Sequence, residues 1–205
     1  TRLSGRVKVP PSKSMAHRAI ICAALAEGRS TVENIAFSDD ILATIEGMRR
    51  LGARIEDIGG ALVVDGIRQG QAMGGTPEID CKESGSTLRF LILKMAHGAR
   101  LIGQGNLGKR PLDVYTKIFN EQGIAYQAQG PLLDFQVSGQ LRAGTFSMRG
   151  DVSSQFITGL LFILPLMEED SELIITTHME SKSYVDMTLS VLADFGIRVE
   201  NEAYR

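Results

Sequence analysis

Three segments of the chain carry apolar residues at nearly every position, which is typical of helices buried on all sides. They cover residues 18–28, 89–98 and 155–167. The first two begin with an arginine and end with a glycine, a residue that often terminates helices. A short polar break follows each segment and leads to an apolar run that predicts a strand. These predicted strands cover residues 31–37, 99–102 and 172–176.

Each predicted strand leads to a helix of a second kind, which is apolar on one face only. The apolar stripes are Ile41, Leu42, Ile45, Met48 and Leu51 in the first helix, Val114, Ile118 and Phe119 in the second, and Tyr184, Thr188, Val191, Leu192 and Phe195 in the third. The three helices end near Gly52, Gly123 and Gly196, which stand at nearly equal intervals along the chain. Further strands are predicted over 61–64 and 135–137.

A unit of helix, strand, helix, strand and strand, with an extended lead-in, therefore recurs at the interval that separates these glycines. Repetition at a fixed period indicates similar units packed on one another. Two copies are whole, whereas the third stops at Arg205, soon after its second helix. We predict an α/β (α+β) fold of three βαβαββ units with pseudo-threefold symmetry around inward-facing helices, the third unit being incomplete.

The net charge of −2 gives the chain no general attraction for nucleic acid or anionic membranes, so we expect neither as a partner. The longest apolar run, residues 156–167, is too short to span a bilayer and is interrupted by Thr158, Gly159 and Pro165. The N-terminus lacks the apolar segment of a signal peptide. Cys22 lies in an apolar run, which predicts a buried thiol in a reducing compartment. We expect a soluble, cytoplasmic protein.

Hydroxyl groups and cations gather where the three buried helices begin. The starts are Ser12-Lys13-Ser14 with Arg18, Ser84-Gly85-Ser86 with Arg89, and Ser153-Ser154-Gln155. N-capping explains Ser14, Ser84 or Ser153 taken alone. However, a capped helix favours acidic residues in its first turn rather than Lys13 and Arg18. Free backbone N–H groups, hydroxyls and cations together suit an oxyanion such as phosphate, so we predict one anion site shared by the three starts.

Two other sets of polar residues carry less weight. Asp39 and Asp40 follow Ser38 and open a helix, which capping explains well, although one carboxylate could balance the cationic cluster. The three histidines, His17, His97 and His178, are scattered along the chain. They predict no metal site.

The segment 103–111, with the sequence GQGNLGKRP, matches nucleotide-binding patterns in part. It fits G-x-G-x-x-G, and it fits G-x-x-x-x-G-K up to the final hydroxyl residue, where Arg110 stands. The equivalent turns of the other two copies are not rich in glycine. Nucleotide binding is therefore a second interpretation. Arg110 could instead join the anion site, with Pro111 opening the next helix.

At these residues the chain resembles the 5-enolpyruvylshikimate-3-phosphate synthase family of enolpyruvyl transferases. The resemblance runs from Gly5 to Arg205 and covers about the N-terminal half of the family's chain. The matching motifs are Pro-x-Ser-Lys-Ser-x-x-x-Arg at 10–18, Ser-Asp-Asp at 38–40, Gly-Ser-Thr-Leu-Arg at 85–89, Arg-Pro at 110–111, Val-Ser-Ser-Gln-Phe at 152–156 and Ser-Lys-x-Tyr-x-Asp at 181–186.

The resemblance implies a protein of two similar domains, each with three βαβαββ units, in agreement with the repeat. It implies that residues 1–11 form a strand of the other domain, and that residues 12–205 form a substrate-binding domain truncated at its C-terminal end. The C-terminal half of the same enzyme would be its partner, and we expect a monomer. Neither a metal nor an organic cofactor is implied.

The family transfers the enolpyruvyl group of phosphoenolpyruvate to the 5-hydroxyl of shikimate 3-phosphate, a step of aromatic amino-acid biosynthesis that glyphosate inhibits. By the resemblance, shikimate 3-phosphate would be bound by Lys13, Ser14, Arg18, Ser153, Ser154, Gln155, Ser181 and Tyr184. Phosphoenolpyruvate would contact Lys13, Gly85, Arg110 and Gln155. The acid–base carboxylate is expected in the missing half, so we predict that this chain alone is inactive.

One departure from the family and two rival interpretations stay open. Glu83-Ser84-Gly85-Ser86 stands where the family commonly has Asn-Ala-Gly-Thr. An inward Glu83 carboxylate would weaken phosphoenolpyruvate binding or pair with a cation. The first rival is the sister enzyme that transfers enolpyruvyl to UDP-N-acetylglucosamine, whose pattern has Lys-Asn in place of Lys13-Ser14. The second is a non-catalytic module that binds phosphate or a nucleotide.

Overall fold

The computed structural model describes residues 4–67, 75–94 and 98–204. Its helices are α1 (Lys13–Leu25), α2 (Asp39–Arg50), α3 (Gly85–Leu91), α4 (Asp113–Gln122), α5 (Ser154–Ile163) and α6 (Lys182–Asp194). Its strands are β1 (Arg29–Val32), β2 (Arg54–Ile58), β3 (Ala61–Asp65), β4 (Glu78–Asp80), β5 (Ala99–Ile102), β6 (Ala125–Ala128), β7 (Asp134–Ser138), β8 (Thr145–Met148) and β9 (Glu172–Ile175). We call α1, α3 and α5 the inner helices, and α2, α4 and α6 the outer helices.

Each unit arranges its strands in the same order. The second unit forms the sheet β4-β5-β7-β6, in which β4 is parallel to β5 and the other pairs are antiparallel. The first unit forms β1-β3-β2, the same arrangement without the lead-in strand. The third forms the parallel pair β8-β9, which corresponds to β4-β5, and no later strand occurs in the described part of the chain. The predicted α/β fold of repeated units is confirmed.

The three outer helices also end in the same way. Gly52, Gly123 and Gly196 have left-handed φ angles of 104°, 69° and 79°. The N–H of the residue after each glycine bonds to a carbonyl in the last turn of the helix, as from Ile124 N to Phe119 O at 2.8 Å. This is the Schellman arrangement, in which glycine avoids the strain that a Cβ atom would cause. The same ending in all three helices supports the repeat independently of the sheets.

The first inner helix begins and ends earlier than the hydrophobic pattern predicts. Helix α1 begins at Lys13, so Arg18 lies in its second turn rather than at its start. Its C-cap is Ala26, and the prediction that Gly28 caps the helix is wrong. The first turn contains Lys13 and Ser14, which face a polar surface and therefore break the apolar pattern. The predicted end of the second inner helix, at residues 95–97, lies outside the described residues.

Three hydroxyl groups on the outer helices join the inner helices to one another. Thr44 of α2 lies 2.8 Å from His17 Nδ1 on α1 and 2.8 Å from the Thr87 hydroxyl on α3. The fully buried Tyr115 of α4 lies 2.9 Å from a carbonyl of α3 and 3.0 Å from a carbonyl of α5. The hydroxyl of Thr188 on α6 lies 2.9 Å from the Thr158 hydroxyl on α5 and 2.8 Å from Arg18 Nε on α1. These three residues are separated by the same intervals as the glycines that end the outer helices, so they occupy equivalent positions of the units.

The interruptions in the apolar run of α5 are contacts between helices. The Thr158 hydroxyl lies 2.9 Å from the Thr188 hydroxyl. At Gly159, a Cβ atom would lie 2.6 Å from the backbone oxygen of Arg89 on α3, so the glycine permits a close approach. Among the described helices, none combines the length and the apolar character needed to cross a membrane.

Both cysteines are buried as free thiols, which confirms the predicted burial of Cys22. Burial raises the pKa of the Cys22 thiol to about 12, and it also raises the pKa of Cys81. Both thiols are therefore protonated and unreactive at neutral pH. In the ranges that the structure describes, no group of three His, Cys, Asp or Glu side chains is placed to hold a metal ion.

Candidate active site

The first turns of α1, α2 and α3 lie side by side. Lys13 Nζ at the start of α1 binds Asp40 Oδ2 at the start of α2 at 2.6 Å. Thr87 in the first turn of α3 donates to the Asp40 carbonyl at 3.3 Å. Asp39 and Asp40 open α2 as predicted, with Ser38 as the capping residue, and the prediction that one carboxylate balances a cation is confirmed. Because the Lys13–Asp40 pair is exposed and worth about 1 kcal/mol or less, a ligand could replace the carboxylate.

Arg18 joins the first turn of α1 to the first turn of α6. Its guanidinium donates to Ser14 O at 2.7 Å and to Tyr184 O at 3.0 Å. It also donates to the hydroxyls of Thr188 and Thr158 at 2.8 Å and 3.3 Å. Burial lowers the pKa of Arg18 to about 10, so the group is still a cation at neutral pH. The structure thus places Arg18 below the helix starts, with most of its N–H groups bonded to the protein.

The first turn of α5 meets the first turn of α3. Gln155 Nε2 donates to Ser86 Oγ at 2.9 Å, and Arg89 Nη1 donates to Gln155 Oε1 at 2.7 Å. With the contacts of α1, α2 and α6, these bonds bring the starts of five helices to one face of the domain. We call this the helix-start face. The predicted gathering of the three inner starts is therefore observed, with the starts of α2 and α6 added to it.

A further cation, Arg110, reaches the helix-start face from the loop before α4 and lies near Arg89. A Cβ atom at Gly85 would overlap Arg110 Nη1, so the guanidinium lies directly against this glycine. Burial, and then the nearby positive charge of Arg110, lowers the pKa of Arg89. In residues 4–67, 75–94 and 98–204, no carboxylate lies within ion-pair distance of either arginine. This pair of cations leaves positive charge for an anion to neutralise.

The serines at the helix starts divide into caps and free hydroxyls. Ser84 accepts from Thr87 N and Ser153 accepts from Gln155 N, so the capping interpretation is confirmed for both. It is wrong for Ser14, because Ser12 caps α1 instead. The oxygen of a cap already accepts one hydrogen bond, although its O–H can still donate to a ligand. The Ser14 hydroxyl makes no hydrogen bond to the described residues.

Three further residues expected at the site lie at the starts of α5 and α6. Ser154 is buried at the start of α5. Ser181 precedes α6, and its side chain makes no capping hydrogen bond. Tyr184 is 46% exposed, and its backbone carbonyl accepts a hydrogen bond from Arg18. Ser181 and Tyr184 therefore present polar groups next to the start of α1.

His17 lies beneath the helix-start face as a neutral group. It is almost fully buried, and its Nδ1 atom bonds the Thr44 hydroxyl at 2.8 Å. Burial lowers the pKa of His17 to about 4, opposed by Asp40 and assisted by the cations Lys13 and Arg18. His17 therefore adds no charge at neutral pH and supports the packing of α1 on α2.

The glycines of segment 103–111 pack against other atoms of the chain and leave no open loop in which a phosphate could bind. A Cβ atom at Gly103 would lie 3.0 Å from Lys82 O, and one at Gly108 would lie 2.6 Å from Leu133 N. A short 3₁₀ helix, Leu107–Lys109, lies within the segment, and α4 begins only at Asp113. A phosphate cradle leads directly into a helix. The geometry therefore does not support nucleotide binding at this segment.

Glu83 turns toward the same segment. A Cβ atom at Gly105 would overlap Glu83 Oε1, so the carboxylate lies against this glycine. Neither Arg89 nor Arg110 pairs with it in the described chain. The departure from the Asn of the family thus leaves both cations free of a carboxylate.

The helix-start face therefore offers an ammonium group, guanidinium groups, hydroxyls, a carboxamide and backbone N–H groups. These are the donors that bind phosphate and carboxylate groups. The helix-start pattern placed Ser86 and Arg89 at the predicted anion site, but the family resemblance assigned neither residue to a substrate. The signal available for Arg89 was its position in the repeat, since it follows Arg18 by the same interval that separates Gly52 from Gly123.

Comparison with known proteins agrees with this geometry. The profile of the family described as EPSP synthase (3-phosphoshikimate 1-carboxyvinyltransferase) matches residues 1–205. The chain is 55% identical to the 3-phosphoshikimate 1-carboxyvinyltransferase of Clostridium beijerinckii, over 99% of this chain and 48% of that protein. It is 52% identical to the protein of the same name from Clostridioides difficile, over 100% of this chain and 49% of that protein.

A solved EPSP synthase from Acinetobacter baumannii has the same fold, with a TM-score of 0.79 and 25% sequence identity. The match covers 98% of this chain and 45% of that chain. The chain thus spans about half the length of the curated relatives that it matches. Because the family profile matches the whole length of this chain, the chain belongs to the EPSP synthase family.

Proposed function

We propose that this chain is the shikimate 3-phosphate-binding half of an enzyme that transfers an enolpyruvyl group from phosphoenolpyruvate. The observation that carries the proposal is the helix-start face, where Lys13, Arg110 and Gln155 are brought to the first turns of several helices. Both substrates carry phosphate and carboxylate groups, which the donors of this face suit. The names of the relatives support the same reaction.

The two substrates divide the face between them in this proposal. Shikimate 3-phosphate contacts the α1, α5 and α6 side, through Lys13, Ser14, Arg18, Ser153, Ser154, Gln155, Ser181 and Tyr184. Phosphoenolpyruvate contacts the α3 side, through Lys13, Gly85, Arg110 and Gln155. Lys13 and Gln155 are shared, because both are linked to the start of α3: Lys13 pairs with Asp40, which Thr87 contacts, and Gln155 bonds Ser86 and Arg89.

The reaction makes one carbon–oxygen bond and breaks another. The 5-hydroxyl oxygen bonds to C2 of the enolpyruvyl group, the C2–O bond to phosphate breaks, and the hydroxyl proton leaves with the phosphate. Protons must move at both partners during this exchange, which requires a positioned acid or base. The site must also close to exclude water. We assign both tasks to the second half of the enzyme.

The N-terminal segment supports a contact with that second half. Residues 4–10 form no helix or strand, and Val7 and Val9 are 86% and 74% exposed. Alternation of apolar and charged residues here is typical of a strand with one buried face. We propose that residues 1–11 belong to the other domain and that residues 12–205 form the substrate-binding domain.

Replacing Lys13 with alanine should weaken shikimate 3-phosphate binding by about 10- to 100-fold, because a hydrogen bond to a charged group is lost. Isothermal titration calorimetry of the 205-residue chain measures the change. Shikimate, which lacks the phosphate, should bind more weakly than the ester and should be insensitive to the substitution. Lys117→Ala, which removes an exposed lysine paired with Glu121 on α4, is the matched control. Equal affinity of Lys13→Ala and the unsubstituted chain for the ester would refute the assignment.

The 205-residue chain alone should release no phosphate from phosphoenolpyruvate in the presence of shikimate 3-phosphate. Addition of the C-terminal half of the Clostridium beijerinckii relative, mixed or fused, should restore turnover, because it supplies the acid–base group and the closing surface. A phosphate-release assay measures both. Turnover that follows the isolated chain through purification would show that the chain is self-sufficient.

A further inference from the structure

The carboxamide of Gln155 is held between two partners on α3. Its Oε1 atom accepts from Arg89 Nη1 at 2.7 Å, and its Nε2 atom donates to Ser86 Oγ at 2.9 Å. The oxygen and the nitrogen of such a group can exchange places by a half-turn. Whether the oxygen or the nitrogen of Gln155 faces a ligand therefore depends on whether its partners are hydrogen-bond donors or acceptors.

Of the two partners, Arg89 alone decides the orientation. A guanidinium group has donors only, so it must face the oxygen of Gln155. The hydroxyl of Ser86 can donate or accept, so it tolerates either orientation. A flipped carboxamide would set two N–H groups against each other at 2.7 Å. The observed orientation leaves one N–H of Gln155 without an acceptor in the described residues.

Arg89 is itself fixed in place. It is 8% exposed, and its guanidinium lies 4.8 Å from the centre of the Phe156 ring. Its Nε atom is buried and has no hydrogen-bond partner among the described residues. No carboxylate is paired with it in those ranges, so the Gln155 oxygen is the acceptor that the group holds. A buried cation with so few acceptors binds that oxygen firmly.

We infer that Arg89 is a positioning residue, which turns the N–H of Gln155 rather than its oxygen toward the anion at the helix-start face. The inference rests on the proposed function, in which Gln155 contacts both substrates. With the opposite orientation, a carbonyl oxygen would face phosphate oxygens and repel them. Arg89 thus acts on the ligand through Gln155.

The orientation can be tested without a ligand. We expect the side-chain amide signals of Gln155, in ¹H–¹⁵N spectra of the 205-residue chain, to shift and broaden in Arg89→Met as both orientations become populated. Arg89→Lys keeps a donor and should retain a single set of signals. Arg100→Met is the matched control, because Arg100 lies on β5 and pairs with Asp134. Unchanged Gln155 signals in Arg89→Met would overturn the inference, whether or not the chain binds shikimate 3-phosphate.

Calorimetric titration with shikimate 3-phosphate tests whether Arg89 affects binding through Gln155. Arg89→Met should weaken binding about tenfold, the effect of one hydrogen bond to a charged group. In a Gln155→Ala background the same substitution should change affinity less than about twofold, because coupled residues are not additive. An equal loss in both backgrounds would show that Arg89 binds the ligand itself. If the unsubstituted chain binds no ester even with the second half added, the proposed function fails, and the spectra still decide the orientation.

Discussion

Replacing Gly159 with alanine should lower the free energy of unfolding by about 3 kcal/mol. A Cβ atom there would lie 2.6 Å from the backbone oxygen of Arg89 and would overlap the hydroxyl of Tyr115. The carbonyl belongs to the backbone of α3 and cannot rotate away, so α3 and α5 would have to separate. That separation also weakens the two hydrogen bonds with which Tyr115 joins these helices. Urea unfolding followed by circular dichroism measures the loss.

Gly47→Ala is the matched control, since Gly47 is also a buried glycine within a helix. A Cβ atom there would meet side-chain atoms, of which Leu91 Cδ1 is nearest at 2.7 Å. A side chain can move aside, and alanine gains about 1 kcal/mol over glycine in a helix. We therefore expect a change within about 1.5 kcal/mol. Equal losses in the two variants would contradict a special role for the close approach at Gly159.

Replacing Gly85 with alanine should raise the KM for phosphoenolpyruvate by about 10- to 100-fold, because charge-assisted hydrogen bonds from Arg110 are lost. A Cβ atom at Gly85 would occupy the place of the Arg110 guanidinium. Arg110 is an exposed, flexible side chain, so it should swing away while the helix stays folded. Steady-state kinetics of the chain fused to the C-terminal half of the Clostridium beijerinckii relative measure the KM. Affinity for shikimate 3-phosphate should change little.

The displacement of Arg110 can be separated from other effects of the added methyl group. Arg110→Met should raise the KM by a similar factor, and the double variant should be no worse than either single one. Gly5→Ala is a control for the substitution itself, because a Cβ atom there would meet nothing within 4 Å. Additive effects of Gly85→Ala and Arg110→Met would show that the methyl group acts on the substrate directly.

The repeat could be predicted from the sequence because both of its signals are local. Apolar stripes and the glycines at 52, 123 and 196 depend on residues close in the chain. The start of α1 could not be predicted in this way, because an apolar pattern shows only where a helix faces apolar partners. Lys13 and Ser14 belong to the helix but face the polar surface. The turn that carries the proposed substrate contacts is therefore the one that the pattern leaves out.

The residues of the site could be predicted from the sequence better than their hydrogen-bond partners could. Lys13 and Gln155 were expected from the chemistry of the helix starts, and the family resemblance added Arg110; the structure brings all three to the helix-start face. The partners of Arg18 lie up to 170 residues away, and two of them are backbone carbonyls that every residue possesses. No spacing rule identifies such partners. The sequence therefore predicted Arg18 only as a cation of the anion site, whereas the structure shows it buried among protein acceptors.

The shared direction of the helices has a consequence for how a substrate arrives. Each helix carries partial positive charge at its start, and five starts lie on one face. A chain with a net charge of −2 repels a phosphate ester at long range, yet this face attracts one that comes near. Salt screens such attraction over about 8 Å at physiological ionic strength. The rate of encounter should therefore fall as salt rises, and capture should come from one side of the domain.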